Sequence, residues 1–444
     1  MGPAMIVILG GGPAGRLASI RLAAAGKQVT LVEHGGIGGQ CLHSGCMPVC
    51  AMNDVARLIH SARELHDLGI IDSIPLPDFP VLLKKMGEIQ QKITSILDEE
   101  TRSAGVEIIY GKTGRLSGRT AYAGDEELRA EAIIAATGSR PSVPAIPGID
   151  LPGVFTSKTL PGMKGLPSKM VIIGGSVVAA EFAYIFSTFG CEVTILSRST
   201  FLKETDKHLR SLAIRELAGV TIRENIPVTL IMGEDRVTSV RTPEGELEAD
   251  AVFLAAGLVP NSEVLDGVKK GLLGEVVVDN RMRTNIADVY ACGDVVGPPY
   301  LTPVARHQGI VAADNILGIP RVMDYANIPR SISLTHELAY CINETGGMGS
   351  IAIPGPAGPG SFWSVPSGQT GMAKVIFDPE SGDLGGICAA GPGGGLIAGY
   401  MAFLMKKHFS VHDFEEFIEV HPSTDGVYGL AKYASSVIKK RNKT

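Results

Sequence analysis

The sequence contains one strand–turn–helix–strand pattern twice, and this repeat restricts the fold more than any other feature. The first copy, MIVILGGGPAGRLASIRLAAAGKQVTLVE, begins at Met5, and the second, KMVIIGGSVVAAEFAYIFSTFGCEVTILS, begins at Lys169. The offset is 164 residues, so Gly10 matches Gly174. Each copy joins an apolar strand through a glycine turn to a helix and a second apolar strand, which is the dinucleotide-binding βαβ pattern. The repeat therefore predicts an α/β fold with two nucleotide-binding units.

The first copy carries a complete phosphate-binding turn, in which Gly10, Gly12 and Gly15 form the spacing GxGxxG around Pro13 and Ala14. Gly10 allows the tight turn, Gly12 lets the backbone approach a pyrophosphate at the helix N-terminus, and Gly15 lets helix and strand pack closely. Glu33 ends the second strand. Its carboxylate is expected to accept a hydrogen bond from a ribose hydroxyl.

The second copy is degenerate, which affects the nucleotide it is expected to bind. Gly174 is kept, but Ser176 and Ala179 replace the second and third glycines, and Val177 follows the turn. In place of Glu33 the copy has Ser197, followed by Arg198 and then Lys203. Cations at this place pair with a 2′-phosphate, so the pattern favours NADPH over NADH. The alternative is that both are ordinary solvated charges.

Two cysteines, Cys41 and Cys46, stand five residues apart in the segment CLHSGCMPVC. Five steps along a regular helix advance about 7.5 Å, whereas a disulfide wants Cα atoms no further apart than about 6.8 Å. The pair can close only where the helix is distorted, and Gly45 and Pro48 are residues that permit distortion. The alternative is a pair of buried structural cysteines.

The composition limits the class of protein. The 444 residues carry a formal net charge of -6, which argues against nucleic acid as the main partner. Seven cysteines, an odd number, argue against a secreted disulfide framework. The apolar runs Met5–Leu9 and Leu396–Met405 are too short for a targeting core or a membrane span. We therefore expect a soluble cytoplasmic protein with no membrane partner and no bound metal.

Further segments resemble known flavoprotein motifs: ATGSRP from Ala136, GLVPN from Gly257, VYACGD from Val289, LTPVA from Leu301 and VHPSTD from Val420. With the repeat and the cysteine pair, they make the chain similar, nearly end to end, to the class I pyridine nucleotide–disulfide oxidoreductases. This is the family of dihydrolipoamide dehydrogenase, glutathione reductase and mercuric reductase.

The resemblance implies three domains in a homodimer. A discontinuous FAD-binding domain would cover residues 1–148 and 279–325, and a Rossmann-like NAD(P)-binding domain would be inserted at residues 149–278. Residues 326–444 would form an α+β interface domain for dimerisation.

The resemblance also implies roles for individual residues. Cys41 would be the interchange thiol that attacks a substrate disulfide, and Cys46 would be the charge-transfer thiolate against the flavin. His421, from the partner subunit, would protonate the leaving thiol. The remaining FAD-binding positions would be Gly39, Gln40, Thr137, Gly138, Gly293, Asp294, Thr302, Pro303 and Ala305, and Gly257 would close the second nucleotide domain.

The chain departs from the family pattern near the implied active site. Cys50 stands where the family has a lysine that pairs with a glutamate, here Glu181, and a carboxylate left without that cation would tend to hold its proton. The glutamate that orients the catalytic histidine is replaced by Gly426, so Asp425, one residue earlier, is the candidate for that role.

A third departure lies in the predicted interface domain. Residues 336–367 are rich in proline and glycine, among them Pro354, Gly355 and Pro356, and this composition predicts a loop instead of a strand. The segment VTILSRSTF resembles mercuric reductases, but no cysteine follows Cys388. The C-terminal cysteine pair of those enzymes is therefore missing.

The preferred hypothesis is an FAD-dependent disulfide reductase that uses NADPH or NADH and acts on a small or lipoyl-type carrier-borne disulfide. One alternative keeps the disulfide chemistry but takes electrons from a protein or passes them to one. Another is a non-catalytic flavoprotein that serves as a binding module.

Overall fold

The computed structural model describes residues 5–343 and 351–441, so the parts of the predicted domains at residues 1–4, 344–350 and 442–444 lie outside it. The α-helices are α1 Pro13–Ala24, α2 Gly39–His43, α3 Cys46–Asp67, α4 Phe79–Ser103, α5 Val177–Thr188, α6 Lys207–Glu216, α7 Thr302–Ile316, α8 Gly394–Lys406 and α9 Gly426–Arg441. Short 3₁₀ turns cover Leu160–Gly162, Asp294–Val296, Pro359–Ser364 and Val411–Phe414.

The strands, in chain order, are β1 Met5–Leu9, β2 Gln28–Glu33, β3 Val106–Tyr110, β4 Gly114–Ser117, β5 Thr120–Ala123, β6 Glu126–Leu128, β7 Ala132–Ala135, β8 Ser139–Pro141, β9 Val154–Phe155, β10 Lys169–Ile173, β11 Glu192–Ser197, β12 Val220–Glu224, β13 Leu230–Met232, β14 Ser239–Thr242, β15 Gly245–Glu248, β16 Ala251–Leu254, β17 Leu258–Pro260, β18 Leu265–Asp266, β19 Val289–Ala291, β20 Arg330–Ser333, β21 Glu337–Ile342, β22 Ile351–Gly355, β23 Met372–Phe377 and β24 Leu384–Gly391.

Two parallel sheets of the same design hold the two copies of the repeat. The first has the order β19-β7-β1-β2-β3 and the second the order β9-β16-β10-β11-β12. In both, the first strand of the repeat lies at the centre and pairs in parallel with the second strand. Strands covered on both faces are almost continuously apolar, and Ile6 to Leu9 of β1 are fully buried. The predicted α/β fold with two Rossmann-like units is confirmed.

Two short strands that follow the second unit pair with strands of the first. β17 lies antiparallel to β8, and β18 lies parallel to β4 in the small sheet β18-β4-β5-β6. Leu265 and Asp266 therefore join strands of the first unit before residue 279, where the sequence predicted the return. The domain boundaries themselves stay a prediction.

The C-terminal part is an antiparallel sheet, β20-β21-β24-β23-β22, against which α8 and α9 pack. The prediction of a loop across residues 336–367 is wrong for two segments, because β21 and β22 are strands. Pro354 lies in β22, opposite Lys374. β22 is the edge strand, where a residue without an N–H group is tolerated. The proline- and glycine-rich composition therefore marks a sheet edge, followed by a turn. Across residues 5–343 and 351–441, no helix is long and apolar enough to cross a bilayer.

The close crossing of α1 and α7 positions the site described below. Gly309 lies at this crossing, and a Cβ atom there would stand 2.3 Å from the carbonyl oxygen of Ala14. Only a glycine allows two helices to approach so closely without displacement. Because α7 begins beside the cysteine pair, this contact fixes its first turn relative to the phosphate-binding turn of α1.

We predict that Gly309→Ala lowers the free energy of unfolding by about 1–3 kcal/mol, the usual cost of overpacking a close contact, and weakens flavin retention. The measurements are thermal unfolding by circular dichroism and the flavin content after gel filtration. Gly87→Ala in α4 is the matched control, because a Cβ atom there meets nothing within 4 Å and should add up to about 1 kcal/mol of helix stability. Equal melting temperatures for the two variants would show that the crossing is not tightly constrained.

Candidate active site

A break between two helices brings Cys41 and Cys46 together. α2 ends at His43 and α3 begins at Cys46. At the break, Gly45 has φ -117° and ψ -118°, and a Cβ atom there would lie 3.0 Å from the carbonyl oxygen of Gln40. The distortion that the sequence requires for a Cys41–Cys46 pair is therefore present, and Gly45 sits at its tightest point.

The two thiols share a hydrogen bond and affect each other's ionisation. A hydrogen bond from Cys46 lowers the pKa of Cys41 to about 6, an effect that burial opposes and that Thr302 and the positive charge of Arg306 assist. The same bond, together with burial, raises the pKa of Cys46. The sulfur of Cys46 also lies 3.5 Å from the hydroxyl oxygen of Thr302, the first residue of α7. With one proton between them, the pair is ready to act as a thiolate nucleophile at neutral pH.

Glu181 of α5 reaches this site from the second nucleotide unit. Burial raises its pKa to about 7, against a hydrogen bond that it accepts from the amide of Ser333 at 3.0 Å. Arg57 of α3 donates to the carbonyl oxygen of Leu334 at 2.7 Å and lies 3.3 Å from the hydroxyl of Ser333. Arg57 thus supplies a positive charge near Glu181, although no side-chain ion pair joins the two in the described residues.

Cys50 lies on the exposed side of α3, one helical turn after Cys46. Burial of its sulfur and the nearby charges of Cys46 and Glu181 raise its pKa. Cys50 is thus close to the pair but is a poorer nucleophile than Cys41 at neutral pH.

The phosphate-binding turn of α1 lies against the cysteine segment. A Cβ atom at Gly39 would stand 2.7 Å from the Cα atom of Gly12, and the amide of Gly38 donates to the carbonyl oxygen of Gly11 at 3.0 Å. The first amides of α1 have no side-chain cap, so they remain free to bind a phosphate. Pro13 occupies the first helical position.

The remaining groups around this turn fit a flavin dinucleotide. The carboxylate of Glu33 accepts hydrogen bonds from the amides of Gly11 at 2.6 Å and Gly35 at 2.7 Å, which fixes it at the end of β2. Burial raises the pKa of Asp294, whose carboxylate accepts a hydrogen bond from Ser139 at 2.7 Å. A partly buried carboxylate and an uncapped helix N-terminus suit the hydroxyl and phosphate groups of FAD.

Further predicted FAD positions surround the same cleft. The hydroxyl of Ser139 also lies 3.3 Å from the side-chain oxygen of Gln40. A Cβ atom at Gly293 would contact the side chains of Ala14 at 3.0 Å and Ala305 at 3.8 Å. Pro303 follows Thr302 in the first turn of α7 and is exposed.

Thr137, Gly138 and Gly257 lie where the two nucleotide units connect. Asn261 donates through its side chain to the carbonyl oxygen of Thr137 at 2.9 Å and through its amide to that of Gly138 at 2.9 Å. The carbonyl oxygen of Gly257 accepts from Ser142 at 2.9 Å. Through these hydrogen bonds, the backbone of the three residues helps to hold the connection between the two units in place. Their contact with a nucleotide stays a prediction.

The glycine turn of the second unit is open to solvent. A Cβ atom at Gly174 would meet the carbonyl oxygen of Ala255 at 2.2 Å, so this glycine is required. Ser176 is exposed at the start of α5, immediately before Val177, and its hydroxyl makes no cap to the helix. Its hydroxyl instead donates a long hydrogen bond to the carbonyl oxygen of Ala255 at 3.5 Å. The first amides of α5 are left uncapped, as a nucleotide phosphate would require.

The three residues predicted to contact a nucleotide at the end of β11 differ in their exposure to solvent. Ser197 is buried, and a Cβ atom at Gly175 would lie 2.2 Å from its hydroxyl oxygen. Arg198 and Lys203 are exposed, and neither forms an ion pair in the described part of the chain. Ser197 is thus a packing residue in this structure, whereas the two cations are available to a ligand.

His421 is paired with Asp425. The distance between Nδ1 of His421 and Oδ2 of Asp425 is 2.7 Å, and the imidazole is 67% exposed while the carboxylate is 13% exposed. No hydrogen bond joins His421 to either thiol of its own protomer within residues 5–343 and 351–441. Asp425 is therefore placed to orient the imidazole in the way that the family's glutamate would.

Sequence reasoning missed four residues of the site. Ser139 and Gln308 hold the loop before α7, since the side-chain oxygen of Gln308 accepts from the amide of Gly293 at 2.7 Å. Arg57 and Arg306 bring positive charge close to Glu181 and Cys41. Arg306 could have been found from its spacing, four residues after Thr302 on one helix. Arg57 could not, because its contact with β20 depends on the tertiary fold.

Comparisons with known proteins agree with this geometry. A family model described as pyridine nucleotide-disulphide oxidoreductase matches residues 4–309. The chain is 28% identical to a dihydrolipoyl dehydrogenase of Haemophilus influenzae, with 96% of this chain and 94% of the relative covered. It is 29% identical to a dihydrolipoyl dehydrogenase of Chlamydia muridarum, with 95% and 94% covered.

Solved structures give the same picture for the fold. The HOCl-induced flavoprotein disulfide reductase RclA from Escherichia coli matches with a TM-score of 0.85 at 25% identity, covering 96% of this chain and 99% of its own. LpdA from Mycobacterium tuberculosis matches with a TM-score of 0.86 at 23% identity, covering 98% and 99%.

We predict that alkylation of Cys41 by iodoacetamide, in protein reduced with dithiothreitol, rises with pH around a midpoint of about 6. The reason is that the thiolate, which forms above the pKa, is the reacting species. The measurement is the labelled fraction of each cysteine peptide by mass spectrometry. Cys50, whose pKa is raised, is the internal control and should react slowly at pH 7. A Cys41 midpoint above 8 would contradict the expected activation.

Proposed function

This chain belongs to the pyridine nucleotide-disulphide oxidoreductase family, and we propose that it is a disulfide reductase whose nucleophile is Cys41. It is an NAD(P)H-dependent flavoprotein oxidoreductase that uses FAD. The substrate that we propose is a small or lipoyl-type carrier-borne disulfide, in line with its dihydrolipoyl dehydrogenase relatives.

The observation that carries the proposal is the coupled thiol pair between α2 and α3, beside the first residue of α7. Its first member has a pKa lowered to about 6. The segment that holds it packs on the phosphate-binding turn, through the contact of Gly39 with Gly12. Two-electron disulfide chemistry needs a nucleophilic thiol and a second thiol close to a bound dinucleotide. The cysteine segment and the phosphate-binding turn provide this arrangement.

These residues support a two-step thiol–disulfide exchange. The Cys41 thiolate attacks one sulfur of the substrate, so a mixed disulfide forms while the substrate S–S bond breaks. The leaving thiolate takes a proton, for which we propose His421 of the other protomer. Cys46 then attacks the Cys41 sulfur and passes its proton to the departing sulfur, which forms the Cys41–Cys46 disulfide and releases the second half of the substrate as a thiol. FAD, when bound, supplies two-electron transfer from the nicotinamide to that disulfide.

A homodimer is part of the proposal, because in the described parts of the chain His421 makes no hydrogen bond to its own thiol pair. Large apolar side chains near it are exposed, with Ile418 91% and Val420 78% accessible. Two further exposed side chains, Leu396 and Phe403, lie on α8. A second copy of the chain would cover such a surface and would bring the imidazole to the thiols.

A second candidate takes electrons from a donor other than a nicotinamide nucleotide. Two observations favour it. Cys50 replaces the lysine expected beside Glu181, and Ser176 replaces the second glycine of the turn. In this candidate, a protein donor or acceptor exchanges electrons with the same thiol pair.

We predict that Cys41→Ser retains FAD and abolishes disulfide turnover, because the attacking sulfur is lost. Cys50→Ser is the matched control and should keep most of the activity, since its thiol is poorly ionised. The measurements are flavin content and NAD(P)H-coupled reduction of lipoamide. Turnover by Cys41→Ser equal to that of Cys50→Ser would refute the assignment.

The second candidate is tested by anaerobic stopped flow with the wild-type protein. A flavin that dithiothreitol reduces, but that neither NADPH nor NADH bleaches, would favour it.

We predict that the double variant Arg198→Gln, Lys203→Gln raises the KM for NADPH about tenfold while leaving the KM for NADH unchanged. The expected loss is ~1.4 kcal/mol of charge-assisted hydrogen bonding to the 2′-phosphate. The assay is steady-state kinetics with each nucleotide. Arg215→Gln, an exposed cation on α6 of the same unit, controls for the change in net charge. An equal effect on both nucleotides would rule out a role in selecting the 2′-phosphate.

A further inference from the structure

Arg306 lies one helical turn into α7, on the face that meets the thiol pair. Thr302, the first residue of this helix, lies 3.5 Å from the sulfur of Cys46. Residues four apart on a helix are neighbours on one face, with Cβ atoms about 5–6 Å apart. Arg306 therefore follows Thr302 on the side of α7 that faces the reacting sulfurs.

The charge of Arg306 is not neutralised. Its side chain is exposed, and no carboxylate lies within ion-pair distance of it in the described residues. Other cations around α7 are paired: Arg21 and Arg321 both bind Asp314, at 2.8 Å and 3.2 Å, and Lys406 binds Asp324 at 2.7 Å. An unpaired guanidinium beside a nucleophile is a cation left available to a ligand.

An anionic substrate meets a particular difficulty at this site. The attacking group is itself a thiolate, so a disulfide that carries carboxylates is repelled as it approaches. The chain as a whole adds to this repulsion, because its formal net charge is -6. A guanidinium beside Cys41 offsets both effects locally and can bind a carboxylate through two parallel hydrogen bonds.

We propose that Arg306 selects disulfide substrates that carry a carboxylate close to their sulfur atoms, an inference that rests on the disulfide reductase function proposed above. Arg306 is then a specificity-determining residue. The substrate class is an anionic disulfide, in preference to a neutral or cationic one. The positive charge also lowers the pKa of Cys41, so the experiment has to separate attraction of the substrate from activation of the thiol.

The first test compares three small aliphatic disulfides of similar length in NAD(P)H-coupled turnover by the FAD-loaded enzyme. They are 3,3′-dithiodipropionate, 2-hydroxyethyl disulfide and cystamine, which are anionic, neutral and cationic. We expect kcat/KM to fall in that order. Arg306→Gln should lower kcat/KM for the anionic disulfide about fivefold relative to the neutral one, as loss of one partly exposed charge interaction implies. Arg306→Lys should keep most of the preference, and added salt should weaken it.

His307→Gln is the matched control, because this exposed neighbour lies on the same turn of α7 and faces about 100° away. It should leave the order of the three substrates unchanged. An Arg306→Gln variant that slows all three disulfides equally would overturn the proposal in favour of thiol activation. A variant with unchanged kinetics would overturn it outright.

The second test needs no turnover and therefore separates this proposal from the proposed function. Cys41 of the reduced protein is alkylated with iodoacetate and with iodoacetamide, an anionic and a neutral reagent of almost equal size. A change in the pKa of Cys41 alters both rates by the same factor, whereas attraction by Arg306 alters only the rate with iodoacetate. We expect Arg306→Gln to lower the ratio of the two rates about fivefold. An unchanged ratio contradicts the proposal. If the ratio falls but the wild-type enzyme reduces none of the disulfides, the proposed function fails and the charge selection stands.

Discussion

The site depends on one local constraint, the interruption of the helix between Cys41 and Cys46. On a continuous helix the two residues would be more than one turn apart and could not share a hydrogen bond or a disulfide. The amide of Ser44 still donates to the carbonyl oxygen of Gln40 at 2.9 Å, and the helix is interrupted after it. Glycine at position 45 is the residue that fits there, because a side chain would press on the carbonyl group of Gln40. The two thiols can interact only because the helix is broken between them.

Packing elsewhere in the molecule positions the cysteine segment against the phosphate-binding turn of α1. Glycines at two close contacts do most of the positioning: Gly39 lies on Gly12, and Gly309 lies on the backbone of Ala14. The first contact fixes the thiols relative to the phosphate-binding turn, and the second fixes α7 relative to the same turn. Both contacts are backbone to backbone, so they leave little room for adjustment.

The sequence predicted the fold well because its strongest signals are local. The two βαβ repeats and the helix distortion follow from apolar runs, glycine spacing and chain geometry. The loop predicted over residues 336–367 was wrong because Pro354 was interpreted without knowing that β22 lies at a sheet edge, where proline is compatible with pairing. The contact of Asp425 with His421 was anticipated as a possibility. By contrast, the approach of Arg57 to Glu181 and the burial of Ser197 depend on packing between distant segments, which no local pattern encodes.

The replacement of the expected lysine by Cys50 has a physical consequence for Glu181. A lysine four residues after Cys46 would hold this carboxylate in its charged form. Here the positive charge comes from Arg57, two helical turns further along α3, whose guanidinium is committed to the carbonyl group of Leu334 and the hydroxyl of Ser333. Burial therefore dominates and raises the pKa of Glu181 to about 7. On its side toward the second nucleotide unit, the site thus has a carboxyl group that gains and loses its proton near neutral pH, whereas the pKa of the Cys41 thiol is lowered to about 6.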